Sequence, residues 1–185
     1  MTEGDRAQEV LAALLAGEHV TPATSQVLEK RLSRTFERRF FSETEFTRLQ
    51  AAAVRLVPHD PVRLDLAGAV DDRLANGRTD GWRYADAPPD PQAYRELLAA
   101  LPEDLMNLDG PAQDDLLRTL QLTHPHPFED LLAELTEAYY SHPLVQLELG
   151  SLSFADAPKW TRIGLGELEA REQEAWEALG LKGRP

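Results

Sequence analysis

The stretch FFSETEFTRLQAAAVRLVP, residues 40–58, specifies both the start and the buried face of one helix. Ser42 is expected to cap this helix, and Glu45 three residues later completes a capping box. Phe41 before the cap and Phe46 after it are spaced to form a hydrophobic staple. Apolar residues recur at helical spacing from Phe46 to Leu56, and Pro58 cannot continue the helix. The stretch therefore predicts a well-delimited amphipathic helix.

Helical periodicity extends in both directions from this stretch. Further helices are predicted over 5–16, from Pro22, from Pro61, from Pro91, from Pro111, from Pro127 and over 165–179. Proline recurs at their first turns, where its missing N–H costs nothing. Only Val145, Leu147 and Leu149 alternate like a strand, which predicts a minor β-hairpin at most, near 144–154. We therefore predict an all-α fold, a single irregular helical domain of about six to eight helices.

The composition bounds the class of protein. The chain has 185 residues, of which 42% are hydrophobic, and this suits one globular domain with two appended ends. We predict an N-terminal helical extension over 1–38, the main helical domain over 39–167, and an acidic C-terminal helix and tail over 168–185. The net charge of −13 argues against binding to nucleic acid. The absence of cysteine excludes disulfides and thiolate metal sites.

The N-terminal residues MTEGDR are acidic where a signal peptide carries positive charge. No apolar run approaches the length of a membrane span, so direct insertion into a membrane is not expected. The expected compartment is the cytoplasm, or the periplasm only if an exported partner carries the chain there.

Two adjacent acidic pairs, Asp71–Asp72 and Asp114–Asp115, lie on predicted helices. Helical neighbours diverge by about 100°, so neither pair is expected to clamp one ion. We interpret them as solvated charges or first-turn charges. The basic cluster of residues 30–39 (Lys30, Arg31, Arg34, Arg38 and Arg39) could bind an acidic surface, but a solvated face with partners such as Glu37 is the preferred interpretation.

The segment HPHPF offers the strongest case for a metal site. His124 and His126 bracket Pro125, and Asp130 or His142 are the further ligands that such a site would use. Prolines are expected to hold the segment extended, so that alternate side chains point apart. A proline-rich connector is the preferred interpretation, and no metal, cofactor-binding or catalytic residue is assigned in this chain. Nucleophile elbows, phosphate loops and dinucleotide fingerprints do not occur in the sequence.

Several motifs in fixed order resemble one family. They are FFSETEF leading to LVP, AGAVDDRL, AYRELLAAL, QDDLLRTL, PFEDLLAELTEAYYSHP, and finally Trp160 with Ile163–Gly164. The stretch from about Arg39 to Glu167 resembles the gluconate 2-dehydrogenase subunit 3 family. Two features depart from that family's pattern: a twin-arginine signal is missing, and LVQLELG stands where many members carry Tyr-Gly-Gly-Asn.

The resemblance implies a non-catalytic accessory subunit with a chaperone-like role in an oxidoreductase complex. Its partner would be a large FAD-dependent dehydrogenase of the glucose-methanol-choline type that oxidises a sugar or an alcohol, and the flavin would belong to that partner. Tyr139, Tyr140, Trp160 and Ile163 are the expected partner contacts, because aromatic and apolar residues anchor interfaces. Two alternatives stay open: a stand-alone helical homo-oligomer that has lost the dehydrogenase, and an enzyme that uses the histidines above with a metal.

Overall fold

The structure, a computed structural model, describes residues 9, 11–13, 15, 16, 20–78 and 88–149. The fold of these residues is all-α, as the sequence predicts, and they include no strand. Residues 9, 11–13, 15 and 16 are helical. The helices with defined bounds are α1 (Pro22–Leu32), α2 (Glu43–Leu56), α3 (Leu66–Ala75), α4 (Asp90–Ala99), α5 (Gly110–Thr123), α6 (Pro125–Tyr140) and α7 (Pro143–Glu148), with a 3-10 turn at Leu105–Asn107.

The start of α2 confirms the predicted capping box. The Glu45 N–H donates to Ser42 Oγ over 3.3 Å, and the Ser42 N–H donates to Glu45 Oε2 over 2.8 Å. Phe41 is buried, and Phe46 packs against the same core. The Val57 N–H still bonds to the Ala53 carbonyl, so the helix ends just before Pro58.

Helices α3, α4 and α5 each contact both α2 and α6. The core lies where these five helices meet, and each of them contributes buried side chains to it. Leu49 of α2, Val70 of α3, Leu97 of α4 and Leu135 of α6 are all 0% exposed. Burying side chains of this size is worth about 1.5–3 kcal/mol each, so this shared core dominates the stability of the bundle.

Three sequence-based expectations about element boundaries are wrong. Residues 143–148 form α7 rather than a strand, because Pro143 starts the helix and Leu144 and Val145 are buried. The remainder of the predicted hairpin lies outside the described residues. Helix α3 begins at Leu66 with Asp65 as its cap, because Asp60 instead closes a local turn with the Val62 N–H.

The third correction concerns the HPHPF segment. Pro125 is the first residue of α6, so the segment is the first turn of a helix and not an extended connector. Proline fits this position because the first N–H groups of a helix have no intrahelical acceptor.

The chain divides into two compact units, and the five-helix core belongs to the unit that runs from Leu28 to Leu152. The described residues of the other unit are 9, 11–13, 15, 16 and 20–27. The predicted boundaries at 38/39 and 167/168 stay predictions. Among the described helices, none has both the length and the apolar character that crossing a bilayer requires.

Candidate functional site

The expected partner contacts fall partly within the described residues. Tyr139 and Tyr140 end α6, with their rings edge to face at a centroid distance of 5.1 Å. Tyr139 packs partly against the core, whereas Tyr140 is 52% exposed. Trp160 and Ile163 lie outside the described residues. The expectation that all four side chains form one surface therefore stays a prediction.

Asp71 is the one buried charged residue among the residues described, with 0% exposure. Its carboxylate accepts hydrogen bonds from three consecutive backbone N–H groups, those of Arg39 over 2.6 Å, Phe40 over 3.1 Å and Phe41 over 2.9 Å. These bonds compensate for the lost hydration of the charge. The interpretation of Asp71 as a solvated charge is therefore wrong, since it fastens the segment before α2 onto α3.

Asp72, the next residue, has a different role on the adjoining face. It forms ion pairs with Arg34 over 2.5 Å and Arg39 over 2.6 Å, and a third with Arg78. Thus the predicted divergence of the two carboxylates is correct, but both bind partners from distant segments. Two members of the basic cluster of residues 30–39, Arg34 and Arg39, are ion-paired with Asp72. The cluster is therefore not simply a solvated face.

A second polar cluster joins α3, α4 and α6. Glu134 Oε1 accepts from Arg73 Nε over 2.5 Å, and Glu134 Oε2 accepts from the Tyr94 hydroxyl over 2.8 Å. Arg73 Nη1 also donates to Asp90 over 3.0 Å. A small cavity of about 140 Å³ adjoins this Arg73–Glu134 cluster, and Asp130, Ala133 and Glu137 also line it. The cluster is a polar tie between three helices.

Burial governs the electrostatics of this cluster. It raises the pKa of Glu134, and the bonds from Arg73 and Tyr94 offset only part of that cost. Burial also raises the pKa of the Tyr94 hydroxyl, and the neighbouring Glu134 charge adds to the effect. Burial lowers the pKa of Arg73, but its bond to Glu134 and the attraction of that charge outweigh burial, so the net shift is upward.

The histidines do not form the alternative metal site in the described part of the chain. His124 ends α5 and bonds through Nδ1 to the Thr123 hydroxyl over 2.9 Å, while His126 lies in α6. His142 caps α7, where its Nδ1 accepts from the Leu144 N–H. No group of three metal-ligating side chains lies close enough to hold an ion, within the residues that the structure describes.

The neutral form of His142 fits this capping bond, because a protonated ring has no acceptor nitrogen. Burial lowers the pKa of His142, and the charges of Arg31 and Arg63 lower it further. Both effects favour the neutral ring, which is the form that can accept the capping hydrogen bond.

The larger concavity is a groove of about 790 Å³ between residues 31–36, the loop 59–65 and the end of α6. We call it the α6 groove. Small side chains line its interior: Ala53, Ala67, Ala69 and Ala138. Val62 at its edge is 93% exposed and Val54 is 38% exposed. Its volume lies within the range of ordinary ligand-binding clefts, about 300–1,000 Å³.

Sequence reasoning missed both polar clusters and the groove. The partners of Asp71 are 30 to 32 residues away, and Glu134 lies 61 residues from Arg73. Local periodicity carries no signal for such pairs. The one available hint is that Asp71 lies four residues after Ala67 and three before Leu74, on a helical face where a buried position is expected.

Comparison with known proteins yields no match: no family model, no curated protein and no solved structure is significantly similar to this chain.

Proposed function

We propose that the protein is a non-catalytic accessory subunit that binds and stabilises a large FAD-dependent dehydrogenase acting on a sugar or an alcohol. The flavin and the redox chemistry belong to that partner. Binding to the folded form of a partner raises its stability by mass action, which is the physical content of a chaperone-like role. The proposal starts from the ordered motifs that resemble gluconate 2-dehydrogenase subunit 3.

The observation that carries the proposal is the exposure of Tyr140. The other described rings of the motifs quoted above pack into or against this chain's own core. Phe41, Tyr94 and Phe128 are at most 5% exposed, and Phe40, Phe46 and Tyr139 are partly buried. Tyr140, in the motif YYSHP, is 52% exposed at the end of a helix whose opposite face is buried. An exposed tyrosine on a rigid helix is the kind of side chain that anchors an interface.

The Asp71 contacts give further support. They join FFSETEF to AGAVDDRL, two motifs that are separate in sequence, and α3 in turn packs on α6. The segment before α2, helix α3 and helix α6 are therefore packed together, and Tyr140 lies at the surface of this packed unit. A preformed surface loses less conformational entropy on binding than a loop would.

The Arg73–Glu134 cluster also supports a non-catalytic assignment. Both Glu134 oxygens already accept hydrogen bonds from neighbouring helices, and Arg73 bridges two carboxylates. Groups engaged in this way stabilise the packing of α3, α4 and α6. This structural role explains their presence without any part in binding a substrate.

Co-purification from the native cell tests the proposal. We expect a tagged chain to bring down a large protein that has the visible absorption spectrum of oxidised flavin. The Tyr140→Ser variant should weaken that complex by about 2 kcal/mol, or about 30-fold in affinity, if Tyr140 is an interface anchor. Leu122→Ser is the matched control, because Leu122 is 82% exposed on α5 and is not one of the expected partner contacts.

The absence of any flavoprotein from the material that co-purifies with the wild type would contradict the proposal. Sedimentation then tests the alternative, a stand-alone helical protein that associates with itself: a stable homo-oligomer favours it, and a monomer contradicts it. Equal recovery of flavoprotein with wild type and Tyr140→Ser would leave the accessory role in place but exclude Tyr140 as an anchor.

A further inference from the structure

We infer that the α6 groove binds an acidic segment of a partner polypeptide, with apolar side chains of that segment seated between the groove's valines. The identity of the partner rests on the proposed function, whereas the chemistry of the segment rests on the groove alone. The segment would contact the protein along the cleft that α6, the loop 59–65 and residues 31–36 enclose.

The lining of the groove holds more arginines than carboxylates, unlike the chain as a whole. Three arginines line it (Arg31, Arg34 and Arg63) against one aspartate, Asp65, in a chain whose net charge is −13. The Asp65 carboxylate accepts the Gly68 N–H over 2.8 Å and so caps α3. A cleft lined with more arginines than carboxylates, one of these arginines without an ionic partner in the described ranges, favours an acidic ligand over a basic one.

Arg31 is the arginine best placed to receive a carboxylate. Arg34 pairs with Asp72, and Arg63 pairs with Glu148 over 2.8 Å. Arg31 donates to the Ser141 carbonyl over 3.3 Å and forms no ion pair with any residue in the described ranges. Its side chain is exposed, so a bidentate bond to an incoming Asp or Glu requires little rearrangement.

The apolar contacts point to a polypeptide and not to a nucleic acid. Val62 and Val54 are exposed at the groove, and Phe36 lines it beneath the Arg34 guanidinium, whose carbon lies 4.8 Å from the ring centroid. A phosphate backbone would leave these apolar side chains uncovered and would be repelled by the rest of the chain. Two copies of this acidic chain repel each other too, which disfavours a second copy as the occupant.

Selection from a phage library of random peptides of about 12 residues tests the inference, because a groove of this kind holds an extended segment or a short helix. The bait is the full-length protein. We expect the selected peptides to combine Asp or Glu with large apolar residues. Their affinity should fall about tenfold or more on Arg31→Glu, and fall clearly on Val62→Ser.

Arg118→Glu is the matched control for charge, since Arg118 is exposed on α5 and does not line the groove. This variant should bind the selected peptides as the wild type does. Val62→Ser changes no charge. Loss of binding in this variant would therefore show that the peptide makes apolar contacts in the groove and is not held by non-specific electrostatic attraction alone. Circular dichroism checks that all variants keep their helix content.

Selected peptides without acidic residues, or peptides that bind Arg31→Glu and Val62→Ser as well as the wild type, would overturn the inference. So would binding of dodecanoate to the groove in the absence of any selected peptide, which points to a small-molecule site. If flavoprotein co-purifies with the wild type but the selected peptides fail these tests, the groove inference fails while the proposed function stands. If no flavoprotein co-purifies but the acidic peptides bind as expected, the proposed function fails while the groove inference stands.

Discussion

Asp71 shows at the scale of one residue how a buried charge can be tolerated without an ion pair of its own. Three backbone N–H groups in a row converge on its carboxylate, and the arginines nearby bond to Asp72. Hydrogen bonds to a charged acceptor are worth about 1.5–3 kcal/mol each, whereas unsatisfied buried donors cost about 1–3 kcal/mol. The residue therefore determines whether residues 39–41 stay docked on α3.

We predict that Asp71→Ala lowers the free energy of unfolding by about 3–5 kcal/mol, because it leaves backbone donors buried without an acceptor. Asp71→Asn keeps one acceptor oxygen and should cost less. Urea denaturation followed by circular dichroism measures both. Asp115→Ala, whose side chain is 78% exposed, is the control and should change the stability by less than about 0.5 kcal/mol. A loss for Asp71→Ala no larger than the control's would contradict the role assigned to this carboxylate.

At the scale of the element, α3 depends on a glycine at its first turn. A Cβ added at Gly68 would lie 2.2 Å from Asp65 Oδ2 and 2.7 Å from Phe36 Cβ. The first of these atoms belongs to the helix cap, and the second belongs to the segment that crosses above it. Thus Gly68 allows close approach, although its φ angle is ordinary for a helix.

The sign of the stability change in Gly68→Ala tests whether close contacts surround Gly68. In an unobstructed helix this substitution stabilises by about 1 kcal/mol, because alanine has the higher helix propensity. Here we expect destabilisation of about 1–3 kcal/mol, since the cap and the Phe36 segment must both move. The shift in the thermal unfolding midpoint measures it. An increase in stability would show that Asp65 and Phe36 can move to make room for the added Cβ at little cost in free energy.

At the scale of the whole molecule, the Arg73–Glu134 cluster links three helices through partly buried charges. Tyr94 and Asp90 bring α4 into the cluster, Arg73 brings α3, and Glu134 brings α6. Residues from all three helices face the Glu134 carboxylate or its cavity, among them Asp130 and Glu137. Stability should therefore respond to the ionisation of Glu134.

The pH dependence follows from the raised pKa of Glu134, whose ordinary value is 4.5. Just above that value the folded protein holds the Glu134 proton more tightly than the unfolded chain does. Stability from this group is therefore greatest at low pH and falls as the pH rises through the folded pKa. The stability of wild type relative to Glu134→Gln should decline as the pH rises above 4.5, the ordinary pKa, and should level off once the pH exceeds the raised pKa of the folded state.

Urea unfolding of wild type and Glu134→Gln across this range measures the difference, in which the other titrating groups largely cancel. Glu96→Gln, on the exposed side of α4, is the control, and we expect its effect to stay within about 0.5 kcal/mol of zero. A wild-type advantage that grows with pH would mean that Arg73 outweighs burial at Glu134.

The sequence by itself determined the all-α class, the capping box of α2 and the apolar face of that helix. These features depend on spacings of three or four residues, which amino-acid order displays directly. Only the tertiary structure decided that Asp71 is buried, that Asp72 and Glu134 tie distant segments together, and that residues 143–148 are helical. The alternation of Val145 and Leu147 resembled a strand, but burial of Leu144 and Val145 against the neighbouring helix outweighed it. Long-range burial overrides local pattern because the free energy of removing a residue from water exceeds its conformational propensity.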